Sequence, residues 1–285
     1  MCIRDSPIYV RHEVVHNRKV VEDLKSRGAK FVDELSEIPD DGITIFSAHG
    51  ISDKVEKEAK LRNLKFFDAT CPLVTKVHLE VQKHAQKGRD IILIGHKGHP
   101  EVIGTLGRHP SNSNTKIYLV ENNDDIEKLE INSSEVAYVT QTTLSVDETR
   151  ELINALKEKF PGIIGPSADD ICYATQNRQD AVKQLSLECQ IVLVIGSQTS
   201  SNSNRLKELA EKCGTKSFLI DDKTDIDLNS LKDANSVGIT AGASAPEEIV
   251  QEVISFLVTL GFKTVRNLSE NNENMTFKLP KELTS

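Results

Sequence analysis

The stretch Asp68-Ala-Thr-Cys71-Pro-Leu-Val-Thr-Lys-Val77, continued by Ile91-Ile-Leu-Ile94-Gly95 and Gly98-His99-Pro-Glu101, decides the reading of this chain because it occurs twice. The second copy begins Asp170-Ile-Cys172 and continues through Ile191-Val-Leu-Val-Ile195-Gly196 to Ser200-Ser-Asn202. Cys71 precedes Gly95 by 24 positions, as Cys172 precedes Gly196, and it precedes His99 by 28, as Cys172 precedes Ser200. Register held this closely marks an internal repeat of one supersecondary unit. The unit's second half repeats too: Val139-Thr140 leads through a polar loop to Asp147-Glu148, and Ile239-Thr240 leads to Glu247-Glu248. Ile43-Thr-Ile-Phe-Ser-Ala-His49-Gly50 reads as the first copy of that half, and Ile8-Tyr-Val-Arg-His-Glu-Val-Val-His16-Asn17 as the strand and loop that correspond to those before His99 and Ser200.

Working outward, short β-rich runs alternate with amphipathic segments. Ile43–Phe46, Ile91–Ile94, Ile117–Val120, Val136–Val139, Ile191–Val194, Phe218–Ile220 and Val237–Ile239 read as strands. Between them Val74, Val77 and Val81, then Leu206, Leu209 and Ala210, recur at helical spacing. Gly28, Gly88, Gly214 and Gly261 fall where those helices should stop. The expected fold is α/β: three pseudo-repeated lobes with small, mostly parallel sheets around a central cluster site. The lobes span 1–70 (incomplete, with residues 1–6 atypical), 71–171 and 172–262, followed by a tail at 263–285.

The chain has 285 residues, 38% apolar and 27% charged, enough to bury a substantial core without disulfide staples. A net charge of −8 argues against nucleic-acid binding, which relies on cations facing phosphates. No apolar run approaches the roughly 20 residues of a membrane-spanning helix. No secretory signal is visible at Met1–Ser6, so the reading is intracellular and cytoplasmic, with no membrane partner. Five cysteines without short-spaced pairs do not resemble a disulfide framework. Cys189 and Cys213 read as buried filler on helical faces.

Ligands of open parallel sheets sit beyond the carboxyl ends of the strands. Five loops there share small hydroxyls, histidines and glycines: Ser47–Gly50, His96–Glu101, Thr140–Thr143, Ser197–Asn204 and Gly242–Pro246. Helix capping accounts for any one of them; five in a repeat point to an anion cradle built from amides at helix starts. Cys71 lies just before Pro72, which fits a first helical position and puts the sulfur where a thiolate is favoured; Cys172 takes the equivalent place. Two symmetric thiolates suit a soft metal centre. His16, His49 and His99 lie in strand-end loops and read as ligand contacts, whereas His78, His84 and His109 read as packing or surface residues. Glu101 is a candidate proton source if burial raises its proton affinity.

The strings Pro7–Asn17, Ser47–Gly50, Asp68–Val77, Gly98–Glu101, Thr140–Val146, Asp169–Arg178, Ser200–Leu206 and Thr240–Pro246 resemble the hydroxymethylbutenyl diphosphate reductase family, from Pro7 to about Leu283. The resemblance implies an iron–sulfur oxidoreductase ending the non-mevalonate isoprenoid pathway, turning (E)-4-hydroxy-3-methylbut-2-enyl diphosphate into isopentenyl and dimethylallyl diphosphates. It implies a [4Fe-4S] cluster on Cys71 and Cys172, with Glu101 as proton donor assisted by Thr142. His16, His49, His99, Thr142, Ser200, Ser201, Asn202 and Ser244 are the implied substrate contacts. The implied electron donor is ferredoxin or flavodoxin. Family members carry a third cluster cysteine in a Gly-Phe-Cys-type motif ahead of the Pro-Ile-Tyr-Val string. This sequence does not show it, and Cys2 is out of register, which leads to the expectation that the chain as written holds its cluster poorly. Two other functions fit the loops: a redox-silent diphosphate isomerase or lyase with zinc or nothing on the cysteines, and a protein that binds diphosphate without turnover.

Overall fold

A computed structural model describes residues 7–133 and 135–268. Among the described residues ten strands form three separate sheets, every neighbouring pair parallel. The first sheet holds β1 (Ile8–Arg11), β2 (Lys30–Val32), β3 (Ile43–Phe46) and β4 (Lys65–Asp68) in the order β2-β1-β3-β4. The second, β5 (Asp90–Ile94), β6 (Ile117–Val120) and β7 (Val136–Thr140), runs β6-β5-β7. The third, β8 (Ile191–Ile195), β9 (Lys216–Ile220) and β10 (Val237–Ala241), runs β10-β8-β9. In each sheet the first strand of the unit is central, the second lies on one side and the third on the other, so the repeat read in the sequence is a repeat of topology. Two short edge strands, β2 and β4, were not singled out in the sequence. Both carry a lysine and stay partly open to solvent, so neither makes an unbroken apolar run.

Alternating side chains covered on both faces explain why Ile91–Ile94 and Ile191–Ile195 are apolar throughout. Ile91 and Leu93 pack with Val77, Val81 and Ala85 of the helix Pro72–Gln86, whereas Ile92 and Ile94 point to the other face, with Val136, Tyr138 and Leu156. In the third sheet Val192 and Val194 meet Val182, Leu206 and Ala210, and Ile191, Leu193 and Ile195 meet Ile249, Val253 and Leu257. Side chains buried this completely stabilise by roughly 1.5–3 kcal/mol each, so Leu93→Ala costs about 2–5 kcal/mol. Gly28, Gly88, Gly214 and Gly261 have φ between +74° and +110°, the left-handed conformation expected where helices stop. Cys213 corrects the sequence reading: the helix Ser201–Lys212 ends one residue earlier, so Cys213 is its cap and is exposed, not filler. Cys189 is half-buried behind the helix Tyr173–Glu188.

Candidate active site

Cys71 and Cys172 occupy equivalent positions at two helix N-termini, with backbone angles of −56°, 132° and −58°, 132°. Each cysteine's amide donates to a loop carbonyl of the preceding unit: Cys71 to Ala48 at 3.0 Å and Cys172 to Thr142 at 2.9 Å. Pro72, at the first helical position, has no N–H, so the next amides, Leu73 and Val74, are the ones that favour the Cys71 thiolate. Burial pushes the Cys71 thiol up despite them, and negative charge on Cys172 and Glu101 pushes it the same way, so all three groups share one electrostatic neighbourhood.

His16, His49 and His99 converge from three loops. The His16 and His49 rings stack at 4.2 Å, and His99 meets each edge-on at 5.7 Å. Burial, then the neighbouring imidazoles, lowers His49 to about 3 and His99 to about 4, so both rings are neutral near pH 7. His99 Nδ1 accepts the Glu101 amide at 3.1 Å, which leaves its Nε2 to carry the proton. Glu13 holds His16 Nδ1 at 3.1 Å. His16 Nε2, His49 Nδ1 and both side-chain polar atoms of Asn202 are buried without a partner among the described residues. Leaving such groups unpaired costs about 1–3 kcal/mol each, so a polar ligand is the natural complement.

Glu101 is only 2% exposed. Burial pushes its carboxyl up to about 7, opposed by the Thr142 amide and hydroxyl and reinforced by the charge of Asp170. The Thr142 amide donates to Oε1 at 2.7 Å and the Thr142 hydroxyl to Oε2 at 3.0 Å. An acid that holds its proton near neutrality, fixed by two hydrogen bonds, suits general-acid work.

The other predicted residues tie the third sheet's loops to this centre. Ser244 Oγ donates to the His16 carbonyl at 3.1 Å, and Ser201 Oγ to the Thr143 carbonyl at 3.5 Å. Ser200 caps its helix by accepting the Ser203 amide, and it also receives the Ser203 hydroxyl at 3.0 Å. A cleft of about 600 Å³ opens beside His16, rimmed by Ser47, Gly98 and Thr199 from all three units. His78 and His84 are buried packing residues, as expected; His109 bonds Thr115. Two supports were missed in the sequence. Gln141 accepts the His96 amide and donates to Thr143, locking two site loops together. Ser203 lies against Gly196 and Gly242, where any side chain would meet its hydroxyl at 2.1 Å. The paired glycines were the available signal for Ser203; nothing in the local pattern marks Gln141.

The residues present fit a thiolate-held metal group as two of its donors, matched in backbone conformation and placed at helix N-termini. Among the described residues no set of three or more metal-ligating side chains forms, and Cys2 lies outside them.

Fold and site together define an α/β protein of repeated sheets, with two equivalent free cysteines, a buried acid and a polar pocket at the strand ends. The family model described as LytB protein matches residues 2–258, and the chain belongs to that family. The chain is 59% identical to the 4-hydroxy-3-methylbut-2-enyl diphosphate reductase of Alcanivorax borkumensis, over 97% of its length and 89% of that protein. It is likewise 59% identical to the enzyme of that name from Saccharophagus degradans, over 98% of the chain and 90% of the relative. The solved structure of the E-1-hydroxy-2-methyl-but-2-enyl-4-diphosphate reductase from Plasmodium falciparum superposes with a TM-score of 0.93 at 40% identity, covering 98% of this chain and 88% of that one. The solved structure of an (E)-4-hydroxy-3-methyl-but-2-enyl diphosphate reductase, the terminal enzyme of the non-mevalonate pathway, gives a TM-score of 0.65 at 30% identity, with 90% of each chain covered. Among the described residues no helix is long and apolar enough to cross a membrane.

Proposed function

We propose that this chain is an iron–sulfur oxidoreductase that reduces (E)-4-hydroxy-3-methylbut-2-enyl diphosphate to isopentenyl and dimethylallyl diphosphates. The observation that carries the reading is Glu101: a buried acid held near neutrality, bonded to Thr142, whose carbonyl holds the Cys172 amide. The match to the reductases favours this function over a redox-silent isomerase or lyase. Cys71 and Cys172 would hold the group, a [4Fe-4S] cluster in this reading, and it would supply electrons one at a time, drawn from ferredoxin or flavodoxin.

The chain's own residues carry the proton and the substrate. The overall change is C–OH plus two electrons and two protons to C–H plus water. Glu101 delivers one proton to the departing oxygen, so that water leaves instead of hydroxide, and Thr142 fixes the carboxyl for that transfer. The second proton reaches either end of the allylic carbon skeleton, which accounts for two isomeric products. The neutral N–H groups of His49 and His99, with His16, Ser200, Ser201, Asn202 and Ser244, bind the diphosphate and hold the reacting carbon in place. A reducing, cytoplasmic setting fits the free cysteines. The three sheets support lobe boundaries at 70/71 and 171/172; residues 269–285 of the expected tail lie outside the described residues.

The test is anaerobic reconstitution with iron and sulfide, then dithionite-driven turnover with both products quantified, beside Cys172→Ser. The expected result is brown protein that forms both products but loses its colour readily, as follows from two cysteine donors among the described residues, with Cys172→Ser losing iron and activity altogether. Diphosphate binding without turnover in a fully loaded protein would overturn the assignment.

A further inference from the structure

Lys76 has no part in the chemistry above, yet it lies on the helix that Cys71 opens, five residues after the cysteine. Its ammonium crosses to the segment that leads into Cys172. It donates to the Ala168 carbonyl at 2.7 Å, the Asp169 carbonyl at 3.1 Å and the Asp170 carboxylate Oδ1 at 3.1 Å. A lysine ammonium has three hydrogens, and these three bonds use all of them. The Asp170 side chain is fully buried, and its other oxygen accepts the Thr140 amide at 3.0 Å, at the end of β7. The next turn of the Cys71 helix adds Glu80, 3.9 Å from the same ammonium.

Residues 165–171 are irregular and have no sheet ladder or helix to hold them. Their place is set instead by Lys76 behind, by the Thr140 amide on Asp170, and by the Cys172 amide on the Thr142 carbonyl ahead. We infer that Lys76 is a positioning residue: a strut between the Cys71 helix and the 168–170 segment that fixes where the Cys172 sulfur stands relative to the Cys71 sulfur. The inference deepens the proposed function and rests on both cysteines holding one metal group. Ammonium-to-carboxylate bonds and bonds to carbonyls from a charged donor are the stronger kind, so the strut is stiff enough to matter. Support of this sort outside the ligands themselves is worth about 10–100-fold in metal affinity.

The test compares wild type, Lys76→Met, which keeps the stem and removes the donors, and Lys76→Arg, which keeps charge and donors. In the loaded full chain, iron release to a chelator is followed by the loss of the brown absorption. In the metal-free full chain with Cys2, Cys189 and Cys213 changed to serine, closure of Cys71 onto Cys172 is followed with the bifunctional thiol reagent dibromobimane. Lys76→Met is expected to release iron about 10-fold faster and to close more slowly, with Lys76→Arg between it and wild type. Iron release and closure rates equal to wild type in Lys76→Met would overturn the inference, as would Lys76→Arg behaving like Lys76→Met in both. If Lys76→Met does not fold, Lys76→Gln, which removes the charge and cannot make all three bonds, takes its place: rates equal to wild type sink the strut, and faster iron release with slower closure supports it. A wild-type chain that takes up no iron–sulfur group sinks the proposed function, and the closure rates still judge the strut.

Discussion

Replacing Glu101 with glutamine is expected to make the protein more stable and nearly inactive. Burial lifts this carboxyl from an ordinary 4.5 to about 7. Below about pH 4.5 the folded and unfolded chains both hold the proton, and the group is neutral to folding. Between that pH and about 7 the unfolded chain gives up its proton while the folded chain keeps it, so stability falls as pH rises, and the loss is complete above about 7. At about 1.4 kcal/mol for each pH unit of difference, wild type at pH 8 is weaker by about 3 kcal/mol on account of this one residue. An amide has no charge to desolvate. Its oxygen accepts the Thr142 amide as Oε1 does now, and its NH₂ donates to the Thr142 hydroxyl, so both contacts survive with one direction reversed. Urea unfolding of Glu101→Gln should therefore show a gain approaching 3 kcal/mol at pH 8 that shrinks to nothing near pH 4.5. Turnover should fall by roughly 10²–10⁴-fold, the ordinary worth of a general acid. A variant no more stable than wild type at pH 8, or one that keeps wild-type turnover, would refute the assignment of a buried, protonated acid.

Three further outcomes follow from the same geometry. Removing the Thr142 hydroxyl with Thr142→Val takes away a donor that favours the Glu101 carboxylate, so the alkaline limb of the pH–rate profile should move upward; a downward move would contradict the bonding. His49 and His99 are held well below an ordinary histidine, so the stability they contribute is present above about pH 6.5 and fades as pH falls toward about 4 and 3. An anion on these rings favours their charged forms, and inorganic pyrophosphate should raise the melting temperature more at pH 5.5 than at pH 8; equal shifts would count against contact with the imidazoles. Gly50→Ala should lose more than about 1 kcal/mol in thermal unfolding, because φ is +82° and the new methyl would stand 2.5 Å from the buried His78 ring.

The sequence disclosed most where burial leaves the plainest imprint. Ile91–Ile94 and Ile191–Ile195 are covered on both faces, so their runs stand out, and the equal spacing from Cys71 and Cys172 marks the repeat. β2 and β4 were hidden because edge strands with one covered face mix lysine and aspartate into their pattern. Glu101 is written as an ordinary first-turn glutamate; its burial comes from the Thr142 loop, 41 positions away, which no local pattern encodes. Cys213 kept the spacing of a buried face, but the helix stopped one residue short of it. Lys76 reads as a solvent-facing helix lysine because its partners lie more than ninety positions on.

Why the cysteines should sit at unit boundaries follows from the two amide bonds they make. Cys71 is tied to the carbonyl of Ala48, next to His49, and Cys172 to that of Thr142, which also grips Glu101. Each cysteine thus opens a helix of one unit and is held by a strand-end loop of the unit before it. Under the proposed function, a ligand that pulls on His49 or Glu101 would pull, through one peptide, on a cysteine. Such coupling needs no mobile lid: backbone bonds of 3.0 Å and 2.9 Å transmit a small displacement, because the packed strands behind each loop leave it few ways to yield. In that reading, substrate recognition and placement of the two sulfurs are one mechanical problem, and changes in the Ser47–Gly50 or Thr140–Thr143 loops should alter both together.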